Sequence, residues 1–501
     1  MQPQPTVSDQ YPNYAWRETH PGKWEREADE VEIAYASLIK LFAGSGRMFF
    51  AITGHLSLTL TPPDHRHSSS DYAAQVDTAL RIAWARLRHQ MPTIASRVDY
   101  SPTDHKWKKT YHTIPDATSR DDWLDKTFKL ISNGQTGTEF ANSDPPAPSI
   151  ATLFVVVSPT PFSGSLEIKR DLILRSPHDI IDGIGTLQLF NQFLHHFSTV
   201  LSGDSGLPLL NGEETTRLSP PYRVAANVPP HPNPQQLQKL LALKTATENI
   251  AKIQTIGIPH NTQGPLLPGK HQRTSVTLSP SRTTNLLSAL KSSKTTPTYA
   301  FHAAIAISEE YPLLLRPSCV PPYNSQDHAA AVYHSVSGQK LTVAMPSVPP
   351  TDARKEFQKI MAQRKEYYLA VHDDPDHFAL APYIWAASTA TLPPLSHEDS
   401  VNLPVPPPRP DPSVSISSMG VVDTIIPGEL LGGRIKTENP WVTGEEVGTG
   451  LGLFLGSFKG RLTLSAAYND AWHSKEEVES FLERVERLVF QGVTVGGLKG
   501  Y

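Results

Sequence analysis

Apolar and polar positions along the chain fall into blocks that read as separate elements. After a polar lead, Val31–Gly44 and Arg47–Leu60 have the apolar content of structured segments, the second as one strand or two bent strands. From Tyr72 to Met91, Val76, Leu80, Ala83 and Leu87 recur at helical spacing, which puts them on one buried face, with Ser70 or Asp71 as cap. Asp121 or Asp122 is placed to cap a short helix carrying Trp123, Leu124 and Phe128. The sharpest block follows. Ser149–Ser158 is an apolar strand, and Leu166, Ile168, Leu172 and Leu174 mark a second strand set against the core. Beyond a tight turn from Pro177 to Gly185, Leu187, Phe190, Leu194 and Phe197 form the buried stripe of a helix.

Residues 200–232 read as a Gly/Pro/Ser-rich loop, then a helix from Pro234 to Lys252 and a connection without periodicity over 253–276. Ser279–Ser292 and Thr296–Ser308 read as two helices that open a second half, and Asp352–Ala390 as a helical region interrupted near Pro375. The stretch 393–413 is linker-like. Val414–Val422, Gly452–Phe458 and Arg461–Tyr468 are predicted strands, and Ser474 with Glu477 has capping-box spacing at the start of a last amphipathic helix. Strands and helices mixed in two blocks predict an α/β protein whose halves span 1–230 and 231–501.

Composition changes this picture mainly by exclusion. A chain of 501 residues buries large cores without staples, and its single cysteine, Cys319, rules out an internal disulfide or a cysteine-based metal array. Lys and Arg number 45 against 49 Asp and Glu, so no basic field and no nucleic-acid partner are expected. The first 30 residues lack a secretory signal and no apolar run has spanning length; a cytoplasmic protein with no membrane span is the expectation. The 46 prolines, above the usual ~5%, mark long irregular connections.

Several motifs carry little chemistry in their setting. Gly203-Asp204-Ser205-Gly206 lies in a polar loop after a helix, and Gly448, Gly450 and Gly452 precede a strand where a dinucleotide site needs a helix. Asp64, His65 and His67, and the group His372, Asp373, Asp374, Asp376 and His377, lack a ligand frame, so no metal is expected. His195 and His196 ride on an apolar helix. A His-x-x-x-Asp spacing occurs at His67/Asp71, His112/Asp116, His178/Asp182 and His372/Asp376, but only the third adds a glycine and joins an apolar strand to an apolar helix. Within HDIIDG, His178 has the intrinsic pKa to take a proton near neutrality. Asp182 is better used to brace the turn than to act on substrate, and Gly183 would allow close backbone approach or an angle barred to other residues.

HDIIDG resembles the HHxxxDG and HxxxD motifs of the CoA-dependent acyltransferase superfamily, which includes chloramphenicol acetyltransferase, plant BAHD acyltransferases and peptide-synthetase condensation domains. DYAAQVDTALRIAWARLRHQMPTIASRV, TTNLLSALKSSKTTPTYAFHAAIAIS and GSFKGRLTLSAAYNDAWHSKEEVESFLERV are most similar to the fungal branch with trichothecene 15-O-acetyltransferase and alcohol acetyltransferase-like proteins. The resemblance implies two chloramphenicol acetyltransferase-like α/β halves with a central active-site tunnel. It makes His178 the general base, Asp182 the structural aspartate that pairs with an arginine in relatives, and Gly183 the motif glycine; Arg461 is the structural candidate for that arginine. Two departures stand out. Asp179 replaces the second histidine of the longer motif, where a carboxylate could shift the pKa of His178, and no DFGWG sequence is present. SSMGVVD, residues 417–423, resembles a strand near the active site of fungal acetyltransferases and makes Ser417 or Ser418, with Ser418 the choice, a candidate for holding an oxyanion.

The implied reaction moves an acyl group, foremost acetyl, from a CoA thioester to a hydroxyl, or in second place an amine, of a small specialised metabolite. Acetyl-CoA or another acyl-CoA is then a co-substrate, no cofactor is bound permanently, and its binding residues are not assignable. An acyl carrier protein could present the donor instead, and a monomer is expected. Two other readings stay open: a condensation-like or cyclising enzyme acting on a carrier-bound polyketide or peptide, and a non-catalytic binding protein.

Overall fold

The computed structural model describes residues 10–63, 69–159, 167–208, 211–250, 252, 257–305, 312–314, 316–339, 341–343, 352–390, 392 and 404–493. Its strands are β1 (Arg17–His20), β2 (Lys23–Glu27), β3 (Ile52–Leu60), β4 (Arg97–Ser101), β5 (Lys106–His112), β6 (Phe128–Ile131), β7 (Thr152–Val156), β8 (Ile168–Ser176), β9 (His271–Thr277), β10 (Pro312–Leu314), β11 (His334–Val336), β12 (Val414–Val421), β13 (Glu429–Leu430), β14 (Ile435–Gly444), β15 (Leu451–Phe458) and β16 (Arg461–Asn469). Helices of six or more residues are α1 (Glu30–Phe42), α2 (Ser69–Gln90), α3 (Ala117–Thr127), α4 (Gly137–Asn142), α5 (Gly183–Leu201), α6 (Pro234–Ile250), α7 (Pro280–Ser292), α8 (Pro297–Ile305), α9 (Ala353–His372), α10 (His377–Thr389) and α11 (Lys475–Val493).

The mixed α/β class expected from the sequence is the one observed, with a main sheet in each half. The first runs β13-β14-β3-β8-β7-β6 and the second β12-β15-β16-β9. Helices α2 and α5 cover the first sheet because Val76, Leu80, Leu87, Leu187, Phe190, Leu194 and Phe197 are all buried against Leu172 and Leu174 of β8. On the second sheet the stripe Val478, Leu482, Val485 and Val489 of α11 packs with Leu453 and Leu464. Ser474 and Glu477 close the reciprocal capping bonds that start α11, as their spacing predicts.

One hairpin ties the halves together. After β12 in the second sheet the chain crosses into the first as β13 and β14, pairs β14 antiparallel with β3, and returns to the second as β15. A strand from the 231–501 block therefore completes the sheet of the 1–230 block. β14 was missed by periodicity because Asn439-Pro440 interrupts it at a register shift between Glu438 and Trp441, where a bulge admits an unpaired residue.

Local differences have local causes. Asp116, not Asp121 or Asp122, caps α3, its side chain accepting from Ser119 N, and Phe128 already belongs to β6. The polar lead contains β1 and β2, which join β4 and β5 in a small sheet ordered β1-β2-β5-β4. β9 lies at the end of the segment read as aperiodic. Leu166, the cluster Asp64, His65 and His67, and most of 393–413 lie outside the described residues. Among the described residues no helix is long and apolar enough to cross a membrane.

β3 and α5 approach closely at Gly54, where a Cβ would fall 2.4 Å from Thr186 Cγ2 and 2.9 Å from Phe190 Cε2. Gly54→Ala is expected to lower stability by about 1–3 kcal/mol through overpacking, read as a lower urea midpoint with an unchanged denaturant slope.

Candidate active site

The turn between β8 and α5 is built from its capping residue outward. Asp182 caps α5, its Oδ1 accepting from Gly185 N at 2.7 Å. Its other oxygen, Oδ2, accepts from Tyr333 N at 2.9 Å and from Arg316 Nη2 at 3.0 Å. Arg316 also donates to the carbonyls of His328, Ala329 and Ala331, so one guanidinium gathers the 328–331 loop and the turn. Both partners are buried. Burial alone would raise the Asp182 carboxyl, but the Arg316 charge and backbone donors outweigh it and hold it below the usual range. The arginine expected from the resemblance is thus Arg316; Arg461 is exposed at the start of β16, opposite Phe458.

His178, four residues before the cap, faces a cavity of about 1380 Å³, counting its open mouth, between the two halves. Its imidazole is buried and stacks on Tyr35 of α1 at 3.9 Å between ring centroids, with 13° between planes. Phe50 lies 5.5 Å away and His334 of β11 5.4 Å. Burial, reinforced by the neighbouring His334, brings the His178 pKa down to about 3, so the ring is neutral throughout the physiological range. His334 is lowered to about 4, mainly by burial, and its Nε2 lies 3.0 Å from the Tyr35 hydroxyl. Trp385 of α10 meets His334 edge-on and lies tilted against Tyr35.

Ser418 lines the same cavity from β12. The Thr298 hydroxyl donates to its Oγ at 3.1 Å, which leaves the Ser418 proton free to donate elsewhere. Next to it the β12–β15 pairing slips between Ser418 and Gly420, so Met419 is the extra residue of a bulge. The structure therefore brings His178, Asp182, Gly183 and Ser418 to one cavity.

Two expectations about this turn change. Gly183 has no positive φ, and a Cβ there would meet Met419 Cε at an ordinary 3.5 Å. The position with no room is Gly185, where a Cβ would lie 2.3 Å from Ala329 O and 2.5 Å from Arg316 Nη2. Asp179 is not among the main influences on His178; burial raises its own carboxyl to about 7, with Lys109 opposing the rise and Glu32 and Asp99 adding to it. Lys109 Nζ donates to Asp179 O at 2.7 Å and to Glu32 Oε1 at 2.8 Å, supporting the turn from behind. Arg316, Tyr35, His334 and Thr298 were not found by sequence reasoning. Tyr35 sits in an apolar helix and His334 in a short coil-like stretch, with no motif around either.

Several of the remaining candidates have structural partners. Lys239 pairs with Asp374 and Asp376, and His377 Nε2 lies 2.6 Å from Ser335 Oγ. Asp204 pairs with Arg86. His196 Nε2 is 2.6 Å from Gln90 Oε1. The Cys319 thiol is raised to about 12 by burial, which leaves it unreactive at neutral pH.

The mixed α/β fold, with His178 on a cavity between its halves, is shared with solved acetyltransferase and condensation-domain structures. The solved trichothecene 15-O-acetyltransferase TRI3 from Fusarium sporotrichioides superposes with a TM-score of 0.76 at 15% identity, over 96% of this chain and 98% of that one. In sequence the chain is similar to O-acetyltransferase pigM of Monascus ruber, 26% identical over 96% of this chain and 87% of that protein. It is also similar to acetyltransferase pigO of Monascus ruber, 23% identical over 95% of this chain and 97% of that protein. No family model matches the chain.

Substitutions separate the two glycines and the clamp. Gly185→Ala is expected to cost about 1–3 kcal/mol while Gly183→Ala stays within about 0.5 kcal/mol of the parent, both by urea denaturation. Asp182→Asn leaves Arg316 buried without its counter-charge and is expected to cost about 3–5 kcal/mol, visible as a lower Tm in calorimetry.

Proposed function

We propose that the chain is an acyl-CoA-dependent O-acyltransferase acting on a hydroxyl of a small specialised metabolite, with acetyl-CoA as the foremost donor. The observation that carries this reading is the neutral His178, fixed by the Asp182–Arg316 clamp on an apolar cavity between the halves, in a chain similar to acetyltransferases along nearly its whole length.

In this reading the acceptor hydroxyl lies against His178 and attacks the thioester carbonyl as the imidazole takes its proton. Stacking on Tyr35 and the rigid turn fix the ring, so orientation is supplied before substrate arrives. Ser418, whose own proton is free because Thr298 donates to its oxygen, supports the developing oxyanion. Collapse of the tetrahedral intermediate breaks the carbon–sulfur bond, and the imidazolium returns its proton to the departing CoA thiolate. A low intrinsic basicity suits this second half, because a weakly basic ring gives its proton back readily. No protein nucleophile is needed when donor and acceptor meet at one base.

His178→Ala is expected to lower the rate of label transfer from labelled acetyl-CoA by roughly 10²–10⁴ with the Tm preserved; a variant as fast as the parent at saturation removes the base assignment. The pH profile gives a separate test. The histidine must be neutral to act, and its pKa is depressed to about 3, so kcat/KM should stay flat as pH falls from 8 to about 5, with no acid limb near the ordinary imidazole value of ~6.5.

A further inference from the structure

Beside the His178 cavity lies a second, smaller crevice of about 420 Å³, counting its open mouth, where the two sheets face each other. Met419, Val442 and Phe454 line both spaces, so the bulged residue of β12 stands in their common wall. Arg273 of β9 reaches into the crevice and is only 7% exposed. Its guanidinium carbon sits 4.3 Å from the ring centroid of Trp441, which in turn stacks on His55 at 4.9 Å and 3°.

Arg273 differs from most of the buried arginines of this chain. Arg26, Arg170, Arg175, Arg223 and Arg316 each pair with a carboxylate. Among the described residues the Arg273 guanidinium has no carboxylate partner and makes no hydrogen bond, and its Nε is buried without an acceptor. Trp441 Nε1, on the same wall, is a second buried donor without one. Ser457, Thr463 and Ser465 add hydroxyls to the lining. Burial lowers Arg273 to about 9, with no carboxylate acting against it, yet it stays charged at pH 7. A desolvated cation beside unmet donors is costly to maintain, and an incoming anion would satisfy both.

We propose that this crevice is an anion subsite, in which Arg273 receives a carboxylate or phosphate of a substrate whose reactive end lies at His178. The proposal rests on the acyl-transfer reading, because that reading puts a substrate on the shared wall. The crevice has room for an anionic group and its near neighbours, not for a whole nucleotide. The group belongs either to the acyl donor or to the acceptor, and both chemistries need the same planar, charged fork.

Calorimetric titration of the full chain decides this without relying on turnover. The probes are CoA against pantetheine, which keeps the thiol arm and lacks the phosphates, and benzoate and octanoate against their methyl esters. In at least one pair the charged probe is expected to bind roughly tenfold or more tightly than its neutral counterpart. Arg273→Met should abolish that preference and leave the neutral probe unchanged, with Arg273→Gln used if the Met variant does not fold. A preference in the CoA pair assigns the anion to the donor, and one in a carboxylate pair assigns it to the acceptor. Absence of any preference in the parent, or a preference that survives loss of Arg273, overturns the subsite. If the charge preference requires Arg273 while labelled acetyl-CoA yields no product with any acceptor, the acyl-transfer reading fails and the anion site stands. If transfer occurs without an Arg273-dependent preference, only the subsite fails.

Discussion

The buried pair between Asp182 and Arg316 fixes the turn that carries His178. One carboxylate caps α5, accepts a backbone bond from Tyr333 and neutralises Arg316, while the same arginine holds three carbonyls of the 328–331 loop. His178 hangs from the turn that this network closes, and His334 begins the strand just beyond Tyr333. Two histidines from distant parts of the chain are thus referred to a single charge pair. A buried pair seldom stabilises more than an apolar replacement would, but breaking one side leaves an uncompensated charge, which makes the geometry hard to lose piecemeal.

The same burial sets the electrostatics of the cavity. Around His178 the neighbours are aromatic rings, and the Asp182 carboxylate is committed to Arg316. An imidazole in such a place is held neutral by desolvation and not by a charged partner. This differs from a histidine raised by a facing carboxylate, since the ring here stays neutral down to a pH of about 3. The costs of desolvation appear elsewhere in the same region, in the raised carboxyls of Asp29 and Asp179, both near 7, around the Lys109–Glu32–Arg26 cluster behind the turn.

What the sequence made legible was local. The strand, turn and helix around HDIIDG, the stripe of α2 and the capping box of α11 each carry their signal within a few residues, because periodicity and capping are short-range physics. The partner of Asp182 could not be read this way. Arg316 lies in a proline-rich stretch with no periodic pattern, and its role comes from a contact across 134 positions. Spacing points to Gly183, which lines the cavity, but the steric demand falls on Gly185, two residues on, where the Ala329 carbonyl crosses. β14 was hidden for a related reason, since a strand broken by Asn439-Pro440 is recognisable only once β3 lies beside it.

The two irregularities that sequence patterns could not supply lie at the walls of the open spaces. The bulge at Met419 pushes a flexible apolar side chain between the His178 cavity and the Arg273 crevice. On the opposite sheet, the register shift in β14 precedes Trp441, which stacks on His55 and Arg273; the His55 ring is steadied by Nδ1–H donating to Asn439 O at 2.7 Å. Regular pairing alternates side chains strictly between faces, so an unpaired residue is the economical way to turn one side chain towards the gap between two sheets without disturbing its neighbours. Because β14 belongs to the first sheet and β12 to the second, the shape of the gap depends on both sheets at once. The hairpin that crosses between them couples that shape to the stability of the whole chain.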